Sequence, residues 1–446
     1  MSLAPAGEPL GDSDLAVASA RSAGDAAATG AGMVVVEGAR RSSLDSKALA
    51  TRVFLTLPSV EAPTFFLPLD CRAALQYALR ESLAPPVRWK RLRNRLLEPA
   101  LARGIAPASR LVTVAQRGQA EPFLIGAAHE LGIPERIEWF LAAGQGDALS
   151  RGVFQVFEQG AAEPRWALKF ARVPDYAEPF DRDERGLRLA REVGGPIAEH
   201  APLFLGRLVA AGIHASLESA AVGQRLLGFL HTAATRREKL QAIEAVAEWT
   251  LSVARHTLAD PERLEPERGR LREHVLPHWP GAPGELADAL AAVPAVFQHG
   301  DLGSWNVVVR PGGFTVLDWE DAVLDAPPLW DLWYLLADAL AHLDVSAGPD
   351  TREQHFVRLF RGELPVSEIL FRWTRLTVEA LGIPADAVSA LATLCWLDEG
   401  LGHHERLSAI GQYAPGTERA RTQYERIGEL WLSTPGLGLG WNSWQR

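Results

Sequence analysis

Short apolar runs of strand length recur along the chain between residues 48 and 222. The segments 52–57, 110–115, 137–141, 153–157, 165–170, 205–209 and 214–220 are rich in Val, Ile, Phe, Trp and Leu and are bounded by Gly, Pro or polar clusters. That pattern predicts strands. Segments of helical period interrupt them at 72–83, 121–131 and 183–192. From residue 224 the period changes to that of a helix, with long amphipathic segments at 236–256 and 329–343. Within this helical half lies one β excursion. Val307-Val308-Val309 predicts a buried strand, Arg310-Pro311-Gly312-Gly313 a turn, and Phe314-Thr315-Val316-Leu317 the returning strand. Residues 1–45 carry few large apolar groups over most of their length and are expected to be a disordered extension. Met33 opens a more ordered stretch and is a candidate start.

Composition narrows the classes. With 446 residues the chain has room for two or three domains. A net charge of −10 argues against a nucleic-acid partner, which needs a basic face. Cys71 and Cys395 are the whole cysteine complement, too few for a disulfide framework or a zinc site. No uncharged apolar run has the length of a membrane span, and a reducing cytoplasm is the expected setting. The basic stretch of Arg88, Lys90, Arg91, Arg93 and Arg95 is interleaved with Trp89, Leu92, Leu96 and Leu97. It is expected to be the solvated face of an amphipathic helix rather than a phosphate or membrane surface. Lysine is scarce: of 45 basic residues, only Lys47, Lys90, Lys169 and Lys239 are Lys. Lys169 sits inside an apolar strand, where a charge needs a partner or a task.

Candidate chemistry concentrates in one stretch. His299-Gly300-Asp301-Leu302-Gly303-Ser304-Trp305-Asn306 has the form H-x-D-x-x-x-x-N, and Asp318 follows twelve residues after Asn306 at a strand end. Kinases use this spacing to hold an acceptor hydroxyl and the magnesium ions on ATP. In that reading Asp301 orients or deprotonates the hydroxyl, and Asn306 and Asp318 offer oxygen ligands to Mg2+. Asn occurs only at 94, 306 and 442, so the motif is unlikely to arise by chance in this chain. The hairpin 307–317 would carry Asn306 and Asp318 to the same end. Upstream, Gly144-Gln145-Gly146-Asp147 lies between two expected strands, where backbone N–H groups at Gly144 and Gly146 could cover ATP phosphates.

H-G-D-x-x-x-W-N-V, then L-D-W-E-D-A, then P-P-L-W-D-L resembles the aminoglycoside phosphotransferase and choline kinase superfamily, strongly over 296–336 and more weakly back to about 137. The resemblance implies an α+β, bilobal protein-kinase-like fold, with a β-rich small lobe at 136–222 and a helical lobe at 223–446; residues 1 to about 105 lie outside it, and the alternating strand-like and helix-like runs at 46–135 are expected to form a further small α/β N-terminal domain. It implies ATP and Mg2+ as cofactors and a small hydroxylated substrate, with oligomeric state left open. Lys169 would hold the α- and β-phosphates, paired with Glu184 by the family's spacing, or alternatively with Glu192. His299 would brace the loop, and Asp331 would tie it to the following helix. Residues 218–223 would form the hinge, meeting adenine through backbone groups. After Asp318 stand Trp319 and Glu320 instead of Phe and Gly, which implies a metal site without the flip of signalling kinases. Asp398, Glu399, His403, His404 and Glu405 fit packing or contact with an amino sugar better than a metal. The rival reading is a nucleotide-binding pseudokinase acting as a scaffold.

Overall fold

The structure, a computed structural model, describes residues 15–19, 33–37, 49–58, 63–82, 99–101, 110–117, 121–143, 149–173, 175–343, 352–413, 423–434 and 437. The chain divides into two compact units, Met1–Tyr176 with Phe204–Val222, and Ala177–Leu203 with Gly223–Arg446.

The first unit is built on a ten-stranded sheet. Its strands are β1 (Leu15–Ser19), β2 (Met33–Glu37), β3 (Leu49–Leu57), β4 (Phe65–Pro68), β5 (Leu111–Arg117), β6 (Ile137–Ala142), β7 (Gly152–Glu158), β8 (Trp166–Phe170), β9 (Phe204–Ala210) and β10 (Ile213–Ser219). They lie in the order β1-β2-β5-β3-β4-β6-β7-β8-β10-β9. Pairing is antiparallel throughout except between β1 and β2. Apolar residues fill both faces of its middle. Leu75 of α1 (Arg72–Tyr77) packs with Leu67, Phe140 and Phe157. Leu124, Ile125 and Ala128 of α2 (Phe123–Ala128) pack with Trp139, Phe154, Trp166, Leu168 and Leu217.

Two expectations are revised here. The stretch expected to be a separate domain at 46–135 does not stand apart: β4 pairs with β6, Phe65 opposite Ala142 and Phe66 opposite Leu141, so one sheet runs through both regions. Alternation marks a strand but not the neighbour it takes, because pairing is set by contacts distant in sequence. Likewise, β1 and β2 fall within the extension expected to be disordered.

The second unit is mostly helical. Its principal helices are α3 (Glu178–Val193), α4 (Arg236–His256), α5 (Trp330–Leu343) and α6 (Ala387–Tyr413). Thr235 opens α4 with a capping box to Glu238, satisfying N–H groups that the first turn leaves unpaired. Two small sheets sit among the helices. One joins β11 (Gln224–Arg225), β13 (Val307–Arg310) and β14 (Gly313–Val316); the other pairs β12 (Val296–Gln298) with β15 (Val323–Ala326). Among the described residues, no helix is long and apolar enough to cross a membrane.

Candidate active site

The β13–β14 hairpin pairs Val307 with Val316, and the Leu317 N–H donates to the Asn306 carbonyl at 2.7 Å. Asn306 and the segment entering Asp318 therefore stand at one end of the hairpin. Asp318 itself has φ +58°, a left-handed conformation that Asp and Asn adopt more readily than other side-chain-bearing residues. Gly300 has φ +85°, and a Cβ there would press against the Asp321 backbone carbonyl. The loop and the acidic segment thus approach at a point where only glycine fits.

Four side chains fix the H-x-D-x-x-x-x-N loop. The Asp331 carboxylate, at the start of α5, accepts from the N–H of His299 at 2.6 Å and of Gly300 at 3.0 Å. Burial pushes Asp331 up to about 6, opposed by those two hydrogen bonds. His299 is wholly buried; its Nε2 lies 2.9 Å from the Leu317 carbonyl, and its Nδ1 accepts from the Asp301 N–H at 3.3 Å. With one nitrogen donating and the other accepting, the ring is neutral and tethers the loop to the residue before Asp318. Asn306 Nδ2 donates to the Asp301 carbonyl at 2.9 Å and to its Oδ2 at 2.8 Å. The fourth brace was not foreseen from sequence: Asp338, one helical face along from Asp331, accepts from the Ser304 N–H at 3.0 Å. Its signal is the seven-residue spacing, which returns a side chain to nearly the same face of a helix.

The segment after Asp318 is anchored just as firmly. Trp319 is fully buried; its indole N–H donates to the Val316 carbonyl at 2.8 Å, and its backbone N–H donates to Asp183 Oδ1 at 3.0 Å. Arg182 pairs with Asp321 at 3.0 Å and lies 3.7 Å from Glu320. A Cβ at Gly186 would overlap the Trp319 carbonyl oxygen. So α3 seats directly on the backbone that presents Asp318. Asp183 shares the buried stripe of α3 with Gly186, Leu187 and Ala190. Glu184 lies one position off that stripe, with its side chain 24% exposed and paired with Arg188 at 2.6 Å. Glu192 is exposed. Gly186→Ala tests this seating. Gly→Ala inside a helix ordinarily gains about 1 kcal/mol; here the methyl meets backbone that cannot swing aside. We expect a net loss of about 2 kcal/mol or more, within the range for overpacking, read as a lower denaturant midpoint. A gain in stability would contradict the close approach.

In the first unit, Lys169 lies on β8, is 5% exposed, and places its Nζ 2.9 Å from Glu218 Oε1 on β10. Residues 218–219 close this strand, so the side chain of Glu218 is committed to the sheet although the stretch was expected to matter through its backbone alone. Gly144, Gly146 and the basic stretch 88–97 lie outside the described residues.

Negative charge gathers around Asp301. Burial, and then the carboxylates of Asp321, Asp318 and Glu320, raise it well above the usual carboxylate range, against the Trp305 side chain, whose hydrogen bond favours the anion. Burial and the charges of Asp301, Asp398 and Asp321 likewise raise Glu399. Around it the polar set of α6 is largely paired: Asp398 with Arg270 at 2.6 Å, Glu405 with His274 at 2.8 Å, and His404 with Glu425 at 3.0 Å. His403 stacks on Tyr424 with centroids 4.5 Å apart, and burial pushes it down to about 4. No group of three or more His, Cys, Asp or Glu side chains able to hold a metal occurs among the described residues. The donor set of Asp318 and Asn306 fits magnesium in the form it takes on nucleotides, with one or two protein oxygens and the remainder from phosphate and water.

A unit built on a largely antiparallel sheet and a mostly helical unit make up an α+β, protein-kinase-like architecture. Residues 148–369, just under half of the chain, match the phosphotransferase enzyme family. Solved structures with similarity include a glucosamine kinase (16% identity, covering 73% of this chain and 85% of that one, TM-score 0.36). An aminoglycoside-3'-phosphotransferase of type VIII matches at 21% identity over 58% of this chain and 100% of that one, with a TM-score of 0.33. A choline kinase from Cryptosporidium parvum Iowa II matches at 14% over 72% and 98%, with a TM-score of 0.38. No curated protein sequence matches the chain.

Proposed function

We propose that this chain transfers the γ-phosphoryl group of ATP to a hydroxyl of a small molecule, in the class of sugars, amino sugars or amino alcohols. The observation that carries the reading is the loop itself: Asp301 is held by the Asn306 amide within the span that the hairpin sets beside Asp318. Asp301 takes the proton of the acceptor hydroxyl as its oxygen bonds to phosphorus and ADP leaves. The raised proton affinity of Asp301 suits that task, since a base works best when its affinity lies near the operating pH. Asn306 and Asp318 would hold magnesium, which when bound neutralises charge on the phosphate oxygens. Lys169 would meet the α- and β-phosphates. His299, Asp331 and Asp338 keep the loop from sagging, which matters because such catalysis is mostly positioning. An acceptor bearing an ammonium group would relieve the repulsion among Asp301, Asp321 and Glu399.

The test is a screen of purified protein with Mg·ATP against hydroxylated metabolites, reading ADP release and acceptor mass together. We expect at least one acceptor to gain a phosphate in step with ADP. ADP release that no acceptor stimulates, with no phosphorylated product, would contradict the proposal.

A further inference from the structure

β8 and β10 pair antiparallel with Lys169 opposite Ser216 and Ala167 opposite Glu218, and β7 sets Gln155 opposite Ala167. Side chains alternate across a strand, so Gln155, Ala167, Lys169, Ser216 and Glu218 share one face of the sheet. The opposite face sends Trp166, Leu168 and Leu217 into the apolar core. Because Ala167 carries only a methyl, Glu218 has room to lean diagonally to Lys169, where Oε1 and Nζ meet at 2.9 Å. The two residues are 1% and 5% exposed.

A buried ion pair is a poor stabiliser. Desolvation of both charges commonly offsets their attraction, and an apolar pair of similar size serves as well. Its presence on this face therefore points to a use. A second observation on the same face points to a ligand. Gln155 Oε1 and Ser216 Oγ are buried and have no hydrogen-bond partner among the described residues. Such atoms are rare in folded proteins and call for a bound group that supplies what the protein does not.

We infer that Glu218 is a positioning residue for Lys169, holding its ammonium on the ligand-facing side of the sheet from a neighbouring strand, where it meets the α- and β-phosphates of the nucleotide. The inference rests on the kinase reading above. It places part of the lysine's alignment in the register of β8 and β10, independent of any helix carboxylate. Sheet register does not slip without turning every side chain over, so this partner is fixed wherever the sheet is intact.

The test is calorimetric titration of the full chain with adenosine and with Mg·ADP, in wild type, Glu218→Gln, Lys169→Met and the double variant. Glu218→Gln should bind Mg·ADP about tenfold more weakly, about 1.4 kcal/mol, while adenosine affinity stays within about twofold. In the Lys169→Met background the same change should cost nothing further, because Glu218 acts through the lysine. Unchanged Mg·ADP affinity in Glu218→Gln overturns the inference, as does an equal loss for adenosine and Mg·ADP, the mark of a merely structural residue. If Glu218→Gln does not fold, Glu218→Asp keeps the charge one methylene short. A selective loss for Mg·ADP there supports the role, and wild-type affinity overturns it. A wild type that binds neither adenosine nor Mg·ADP sinks the kinase reading itself, a result distinct from failure at Glu218 alone.

Discussion

Asp318→Asn should yield a folded protein whose thermal response to Mg·ATP is nearly gone. A ligand at about one hundred times its dissociation constant stabilises the native state by about 2.7 kcal/mol, a shift of several degrees for wild type. The substitution removes the anionic oxygen and leaves an amide, a far weaker partner for a hard dication. The fold should tolerate it. Asp318 sits at φ +58°, which Asn also accepts, and the neighbouring backbone stays anchored through Trp319 to Asp183 and Val316. The melting temperature without ligand should therefore match wild type. An equal ligand-induced shift in both proteins would mean that the metal is held elsewhere.

Asp301→Asn should separate binding from transfer. The amide oxygen can still accept from Asn306 Nδ2, now 2.8 Å from Asp301 Oδ2, so the loop keeps its shape. What is lost is the base. Phosphoryl transfer should fall by roughly 10²- to 10⁴-fold, the usual range for a general base, while Mg·ATP affinity stays close to wild type. A pH profile adds a second readout. The folded-state proton affinity of Asp301 is raised, so the active carboxylate form is lost as pH falls through a value above the usual carboxylate range. Wild-type kcat/KM should show that acid limb, and the residual activity of the variant should lack it. Loss of Mg·ATP binding in the variant would recast Asp301 as a metal or structural residue.

Local chemistry was the most legible part of this chain. The hairpin around Arg310–Gly313 and the H-x-D-x-x-x-x-N spacing could be read directly, because turn residues and a fixed spacing are properties of adjacent positions. The helix 236–256 is legible from its amphipathic period, and the structure gives it the same bounds. What escaped was set by distant pairing. Nothing in 46–135 says that Phe65 will lie beside Ala142, so from sequence alone the stretch reads as a domain apart from the sheet it joins. Glu218 escaped for the same reason: its partner lies 49 residues earlier in sequence, and only the β8–β10 register brings them together. On α3, the sequence does not single out Asp183, whose place on the buried stripe, one position from Glu184, lets it accept from the Trp319 N–H. A helix turns 100° per residue, so an offset of one exchanges an inward carboxylate for an outward one. The seven-residue step from Asp331 to Asp338 was visible in principle, but two carboxylates on an apolar helix face gave no hint of which loop they brace.

The most direct measurement is a side-by-side assay of ATP turnover in wild type and Asp301→Asn, each with its Mg·ATP affinity measured on the same preparation. Water can occupy the acceptor position, so background hydrolysis reports on the base before the acceptor is known. The expected result is turnover that falls at least about a hundredfold in the variant at unchanged affinity, and an acceptor that becomes a phosphate monoester only with wild type. Equal turnover in the two proteins, with nucleotide bound by both and no acceptor phosphorylated, would contradict the central claim and leave a nucleotide-binding scaffold in its place.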